Sequence, residues 1–583
     1  MARVGVAGRA LVDDRPDSPA SDGRRQLILR AQRWTAPIAA HPLLTTALVT
    51  SVVAVGHAIW IWNHRLLGAF DPDEAGYLAA ALRYERTLDL LRPWAFVRAV
   101  GGTGTGPMVP LLSVPFLLVG PRDPRTAMLV QPLLSVLTSV SIAGIAFHLK
   151  GRPYPAILAG TSFLALPMAA LATQSYWLGT GATAAMVGSM WALLASDRCA
   201  NRRIWLYGFL LGVMLLTRTM MLGFLPAMAL AGVIVAGRER RRLLRLAGAF
   251  GIAAVVAGPW WVANWTSIFD YLFSYGYGER AGLFGSGGIP QRLAFRFERI
   301  LDGTGFGWLG NVVIAATVVA GLALAALGLR TAERRFNETQ RSELALLVAV
   351  AVGLAALVST SNNGVWFELP LVGLAIPLVV AAGARAPGVL RAAAGCTVVV
   401  ALVLVSLRAW WLLPPGGGRP AAAHYEYGFE QYDRRFGPMH RDELHAAAAD
   451  WRRVNEEVVA ALRRLDRGDE VFFTMSGNMQ LLNSNSVSLA AELQGWGPII
   501  SIPDTTAPAR RRAADLSPVW RDDDGTAHRR VLVLALHDEI LFTPDRDVAE
   551  LASQAEDLGW VQAERIALPV GGSVSLLVHP DDR

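Results

Sequence analysis

Asp71, Asp73 and Glu74 place three carboxylates within four residues, in the run Phe70-Asp71-Pro72-Asp73-Glu74-Ala75-Gly76-Tyr77. A carboxylate held beside a reacting hydroxyl takes its proton as a general base, while a second one orients the first or binds the other reactant. The same residues also suit a helix start. Asp71 is a good N-cap, Pro72 fits the first helical position, and Asp73 and Glu74 complement the positive helix end. Local pattern alone favours that capping role. Tyr77, Ala81, Tyr84, Leu88 and Leu91 then recur at helical spacing, with Arg83, Glu85 and Arg86 off the stripe. That pattern predicts a helix resting on a membrane surface.

A chain of 583 residues, 53% hydrophobic and only 17% charged, departs from the roughly 25% charge of soluble domains. It excludes an ordinary cytosolic enzyme, a disordered protein and a disulfide-stapled secreted domain. Apolar runs of about 20 residues alternate with short charged loops, as in a polytopic membrane protein. The formal net charge of +7 sits in arginines that crowd those loops, so it argues for membrane orientation and against nucleic-acid binding. Cys199 and Cys396 offer no redox framework and are expected to stay reduced.

Arg24, Arg25, Arg30 and Arg33 precede the first apolar run, Ala39 to Trp62, which places residues 1–37 in the cytoplasm as a tail ahead of an uncleaved anchor. The acidic run then lies in a first outer loop, 63–106. Pro107, Pro110, Pro115, Pro121, Pro124 and Pro132 allow 107–150 to cross the membrane once or three times, giving about eleven or about thirteen spans. Lys150–Arg152, Asp197–Arg203, Arg238–Arg245, Arg330–Arg341 and Arg385–Arg391 read as inner boundaries. Gln174–Trp177, Thr217–Met221, Trp260–Trp265 and Ser359–Gly364 read as outer ones, and the last span ends near Leu413. Either count is odd, so the C-terminus falls on the outer side. From Pro414 a Pro/Gly linker leads into mixed polar sequence. Strands at Glu470–Thr474, Arg530–Leu536 and Gly572–His579 alternate with helices at Asp442–Leu465 and Val548–Leu558, predicting a small extracytoplasmic α/β domain over 414–583.

With these features in order, the chain resembles the C-type membrane glycosyltransferases (GT-C), in the branch holding protein O-mannosyltransferases and the lipid A aminoarabinose transferase. The likeness is carried by Asp73-Glu74 with Tyr77 in the first outer loop, by Gly106-Pro107-Met108-Val109-Pro110-Leu111, by Leu215-Leu216-Thr217-Arg218, and by Pro259-Trp260-Trp261-Val262-Ala263-Asn264. It covers roughly 40–410, the expected transmembrane domain being 38–413. The resemblance implies an inverting glycosyltransferase of the plasma (inner) membrane. Such an enzyme moves a hexosyl or pentosyl group from a polyprenyl-phosphate donor to a glycan, lipid or protein acceptor on the outer face. It also implies Asp73 as base and Glu74 as its partner, with Asp71 a rival for the base. Tyr77, Trp261 and Asn264 would then contact substrate. The departing phosphate needs cations, for which Arg218 and Arg280 are the candidates. Many family members carry arginine where this chain has Ala263.

Cofactors are not required by this reading, which leaves room for a divalent metal. His57 and His64, seven positions apart, share a helix face but seldom suffice as ligands at that spacing. Tyr271–Phe284 reads as an aromatic belt or a flap, and Asn362, Asn363, Trp366 and Glu368 as a helix start or an acceptor entrance. Ser476-Gly477-Asn478 and His537-Asp538-Glu539 are loops first. Two other functions compete: a polyprenyl-lipid transporter or flippase, and a non-catalytic envelope scaffold. The apolar runs are nearly free of midplane charge, which disfavours transport.

Overall fold

The computed structural model describes residues 40–65, 67–68, 70–278, 287–304, 337–361, 367–384, 395–396, 398–400, 403, 441–465, 471–476, 479, 481–496, 499–502, 519–521, 527–536, 545–569 and 571–580. Proline opens helix after helix, because its missing N–H is one that the first turn leaves unbonded anyway. The order is α1 Pro42–His64, α2 Pro72–Asp89, α3 Pro93–Gly101, α4 Met108–Val119, α5 Pro124–Met128, α6 Val130–Lys150, α7 Pro153–Leu164, α8 Pro167–Gln174, α9 Leu178–Leu194 and α10 Arg203–Thr217. A 3₁₀ turn at Thr219–Phe224 leads into α11 Leu225–Ala236, followed by α12 Arg240–Ala263, α13 Trp265–Gly276, α14 Ile289–Thr304, α15 Glu338–Ser359 and α16 Leu369–Gly383.

Among the described residues five helices are long and apolar enough to cross a membrane, or six if the bent pair formed by α7 and Met168–Gln174 is one span. The helices α4, α9, α10 and α16 are apolar but shorter. This is a polytopic α-helical membrane protein with a small C-terminal sheet. Most of the sequence expected to span between Gly305 and Arg330 and between Arg391 and Leu413 lies outside the described residues, as does the linker from Pro414.

The proline-rich stretch divides into α4, α5 and α6, and within it Pro124–Lys150 is long and apolar enough to cross a membrane. At 12 residues, α4 reaches about 18 Å, short of a hydrocarbon core of about 30 Å. Gly106 lies against the Thr217 carbonyl, and Arg122 just beyond α4 bonds Glu85 at 2.9 Å. The basic loops meet: Lys150 pairs with Glu343 at 3.1 Å, and Arg198 lies near Arg242, Arg341, Glu239 and Glu338. The expected inner boundaries at Lys150, Arg198, Glu239–Arg242 and Arg341 thus gather together, while Arg385–Arg391 lies outside the described residues.

The C-terminal region contains α17 Arg441–Leu465, β1 Val471–Ser476, α18 Ser484–Leu493, β2 Ile499–Ile502, β3 Val519–Arg521, β4 Ala527–Arg529, β5 Val531–Leu536, α19 Asp545–Asp557, β6 Val561–Ala567 and β7 Ser573–Val578. Its main sheet runs β2-β1-β5-β7-β6, and β3 and β4 form a separate hairpin. The first two pairings are parallel and the β5–β7 and β7–β6 pairings antiparallel. One apolar core joins Tyr77, Leu78 and Leu82 of α2 to Trp451, Val454 and Val487 of this region. Gly68 takes φ +101° where a Cβ would come within 2.4 Å of the Ala448 carbonyl oxygen, so only glycine lets the chain pass.

That packing corrects the expectation of a surface helix. Tyr77–Leu82, Tyr84 and Glu85 of α2 are buried, because Arg83, Glu85 and Arg86 face protein ion pairs instead of lipid headgroups. The interfacial role falls to α3, whose Trp94 and Val97 are exposed beside Leu90 and Leu91, while Phe96, Ala99 and Val100 pack on Tyr84.

Candidate active site

The chain leaves α1 at Arg65 and turns at once into α2. Asp71 caps this helix, its side chain accepting from the Asp73 N–H at 3.0 Å. Glu74 completes a capping box by accepting from the Asp71 N–H at 3.4 Å. Glu74 also pairs with the Arg65 guanidinium at 2.6 Å, both side chains being buried, and its other oxygen accepts from the Tyr176 N–H at 2.6 Å. Arg65 in turn lies 5.0 Å from the Phe70 ring centre. Glu74 is therefore fully engaged in fixing the loop to the bundle.

Asp73 is placed differently. It reaches solvent, yet burial is the largest influence on its carboxyl and holds its pKa above the ordinary carboxylate range. The Arg218 guanidinium opposes the rise, and so does a hydrogen bond from Tyr77, one turn along the same helix face. Tyr77 itself is buried, and its hydroxyl is pushed well above the ordinary value by burial and then by Asp73. Arg218 pulls it down, while Tyr271 and Asp71 add to the rise. Asp73, Tyr77, Arg218 and Tyr271 thus converge.

Arg218 sits in the extended break between α10 and the 3₁₀ turn. It is buried, with its guanidinium carbon 4.1 Å from the Phe367 ring centre, a cation–π contact. One of its terminal nitrogens, Nη1, has no hydrogen-bond partner. A buried cationic N–H without an acceptor costs free energy, and a bound anion would satisfy it. Gly106 explains how the segment stays close, since a Cβ there would fall 2.3 Å from the Thr217 carbonyl oxygen.

Trp261 and Asn264 use their polar atoms on backbone. Trp261 donates to the Leu215 carbonyl at 3.3 Å. Asn264 donates to the carbonyls of Gly101 and, at 3.0 Å, Trp260, and Trp260 donates to Thr103 at 3.1 Å. This cluster ties the end of the first outer loop to α12. Arg280, Glu279, Asn362, Asn363, Trp366 and His537–Glu539 lie outside the described residues, as does the His64 side chain. His57 is buried in α1. Among the described residues no cluster of three or more His, Cys, Asp or Glu is placed to hold a metal. Trp265, Phe269, Phe273 and Tyr277 form a row of rings along α13, which suits an aromatic belt.

Sequence reasoning missed Arg65 and a second buried cation, Arg296 of α14. Arg296 pairs with Glu368 and lies 5.7 Å from the Phe367 ring on which Arg218 also rests. The available signal was the amphipathic pattern of 289–304 inside what reads as a long loop.

Neither a family model nor a curated protein matches the sequence. Among solved structures the chain is similar to ArnT from Cupriavidus metallidurans, in crystals bound to undecaprenyl phosphate and in the apo state. In both cases the TM-score is 0.51 with 14% identity over 94% of this chain and 98% of that one. The chain has a GT-C-like fold.

Proposed function

We propose that this protein transfers a sugar from a polyprenyl-phosphate donor to a hydroxyl acceptor at the outer face of the plasma membrane, with inversion. The observation that carries the reading is the solvent-exposed Asp73 carboxyl under the influence of the buried Arg218 guanidinium, whose Nη1 has no partner among the described residues. The ArnT crystal with undecaprenyl phosphate on the same fold supports a lipid phosphate as the anion. In the reaction the acceptor O–H gives its proton to the Asp73 carboxylate as its oxygen bonds the anomeric carbon. The bond from that carbon to the phosphate oxygen breaks on the opposite side, and the lipid phosphate leaves bearing the negative charge that Arg218 offsets. Asp71 and Glu74 position Asp73 through the helix start and are not themselves the base. Tyr77 steadies the carboxylate, and Arg280 remains a candidate second cation.

The test is incubation of purified protein with a panel of polyprenyl-phosphate sugars, with mass spectrometry reading transfer or slow donor hydrolysis. Release of free lipid phosphate from at least one donor is expected. Intact donors throughout, with lipid moved between leaflets in proteoliposomes, would favour the flippase. Arg218→Gln should weaken binding of the lipid phosphate about 10- to 100-fold, the range of a lost charge-assisted hydrogen bond. Unchanged binding removes Arg218 from the site.

The pH dependence has a defined sign. A base works deprotonated, so activity falls as pH drops through the Asp73 pKa, which burial raises. Removing the hydrogen bond from Tyr77 takes away a stabiliser of the carboxylate. Tyr77→Phe should therefore move the acid limb of kcat/KM to higher pH, and a shift to lower pH contradicts the assignment.

A further inference from the structure

We infer that the C-terminal domain positions the acid-bearing helix, through Asn485 and Glu492 of α18. The two helices α2 and α18 lie side by side in the same direction. At one end Asn485 donates to the Pro72 carbonyl at 2.8 Å, the peptide immediately before Asp73. Gly76, one turn later, leaves room for it, because a Cβ there would stand 3.0 Å from the Asn485 amide nitrogen. At the other end Glu492, itself buried, holds Arg83 at 3.1 Å and Arg86 at 3.3 Å. Arg122 lies 3.7 Å from its second oxygen and pairs with Glu85. Arg86 also donates to the Trp496 carbonyl.

The geometry divides α2 by face. Pro72 and Gly76 meet Asn485 of the C-terminal domain, while Asp73, one residue beyond Pro72, turns about 100° away, where Arg218 acts on it. A contact on the first face sets the rotation and height of the second. Two arginines of α2 on one oxygen of a buried carboxylate, with Arg122 beside the other, also make this seam directional. Among the described residues Asn485 and Glu492 bond neither Asp73 nor Arg218, so they act through the helix and are positioning residues. A device of this kind explains why a domain joined through a distant part of the chain shares a core with the first outer loop.

The kinetic arm of the test rests on the proposed transferase reading; the structural arm does not. Asn485→Leu keeps the approximate volume and deletes the donor. In the full-length protein, hydrogen–deuterium exchange of the Ala75–Tyr77 amides should quicken about fivefold, the effect of one lost hydrogen bond, with β5 protection unchanged. With a sugar donor that the parent turns over, kcat should fall while the donor KM stays, because Arg218 belongs to another element. Glu492→Gln, which keeps the shape, should quicken exchange across Leu82–Leu88. Parent-like exchange in both variants overturns the inference. So does a fall in kcat accompanied by an equal rise in donor KM. If no donor is turned over by the parent, the transferase reading fails and the exchange result alone decides this one.

Discussion

Asp73→Asn should abolish transfer while leaving the protein folded and inserted. Asparagine has nearly the same shape but cannot accept the proton, and a positioned general base contributes about 10²–10⁴-fold. The stability of the variant carries a second sign. The Asp73 pKa is raised in the folded protein, so the ionised form is the disfavoured one. Above the unfolded-state pKa that ionisation costs stability, and the cost disappears as pH falls and the group is protonated. A neutral asparagine should therefore melt no lower than the parent near neutral pH, while the catalytic rate collapses. Asp71→Asn provides the contrast, because asparagine caps a helix as well as aspartate does. It should keep near-parental turnover. Measured rates and melting midpoints for the two variants decide the matter. An active Asp73→Asn would remove the base, and an inactive Asp71→Asn with active Asp73→Asn would transfer the role to Asp71.

Much of this was legible in the chain. Arginine-rich loops and apolar runs gave the bundle and its two ends, since a span's length and flanking charge are local properties. The cap at Asp71 and Pro72 was equally local and holds in detail. What could not be read was anything set by distant packing. The stripe of Tyr77, Ala81 and Tyr84 looks the same whether it meets lipid or protein; here α18 covers the other side, which converts Arg83 and Arg86 from headgroup contacts into partners of Glu492. The three carboxylates were ambiguous for a similar reason. Their spacing does not say that Glu74 turns inward onto Arg65, nine residues earlier, and onto the Tyr176 amide. Nor does it say that Asp73 stays exposed to solvent under the influence of Arg218. Arg296 escaped notice because its partner Glu368 lies far along the chain, and only the fold brings both to Phe367.

The Arg65–Glu74 pair yields the largest expected effect on stability. Both side chains are buried, so Glu74→Ala leaves the guanidinium without its carboxylate and the Tyr176 N–H without its acceptor. Breaking a buried pair on one side costs about 3–5 kcal/mol, a large part of a typical total of about 5–15 kcal/mol. Loss of folded, monodisperse protein in detergent is expected. Transfer would be lost with either a structural or a chemical role for Glu74, so a compensated variant separates the two. Arg65→Met with Glu74→Gln removes both charges, keeps the approximate volumes, and lets the amide oxygen still accept from Tyr176. Pairs replaced together in this way are often neutral or stabilising. This double variant should recover folded yield and a melting midpoint near the parent's, and should retain transfer, because Asp73 and Arg218 are untouched. A protein that folds and melts normally yet transfers nothing would show that the Glu74 carboxylate takes part in the chemistry.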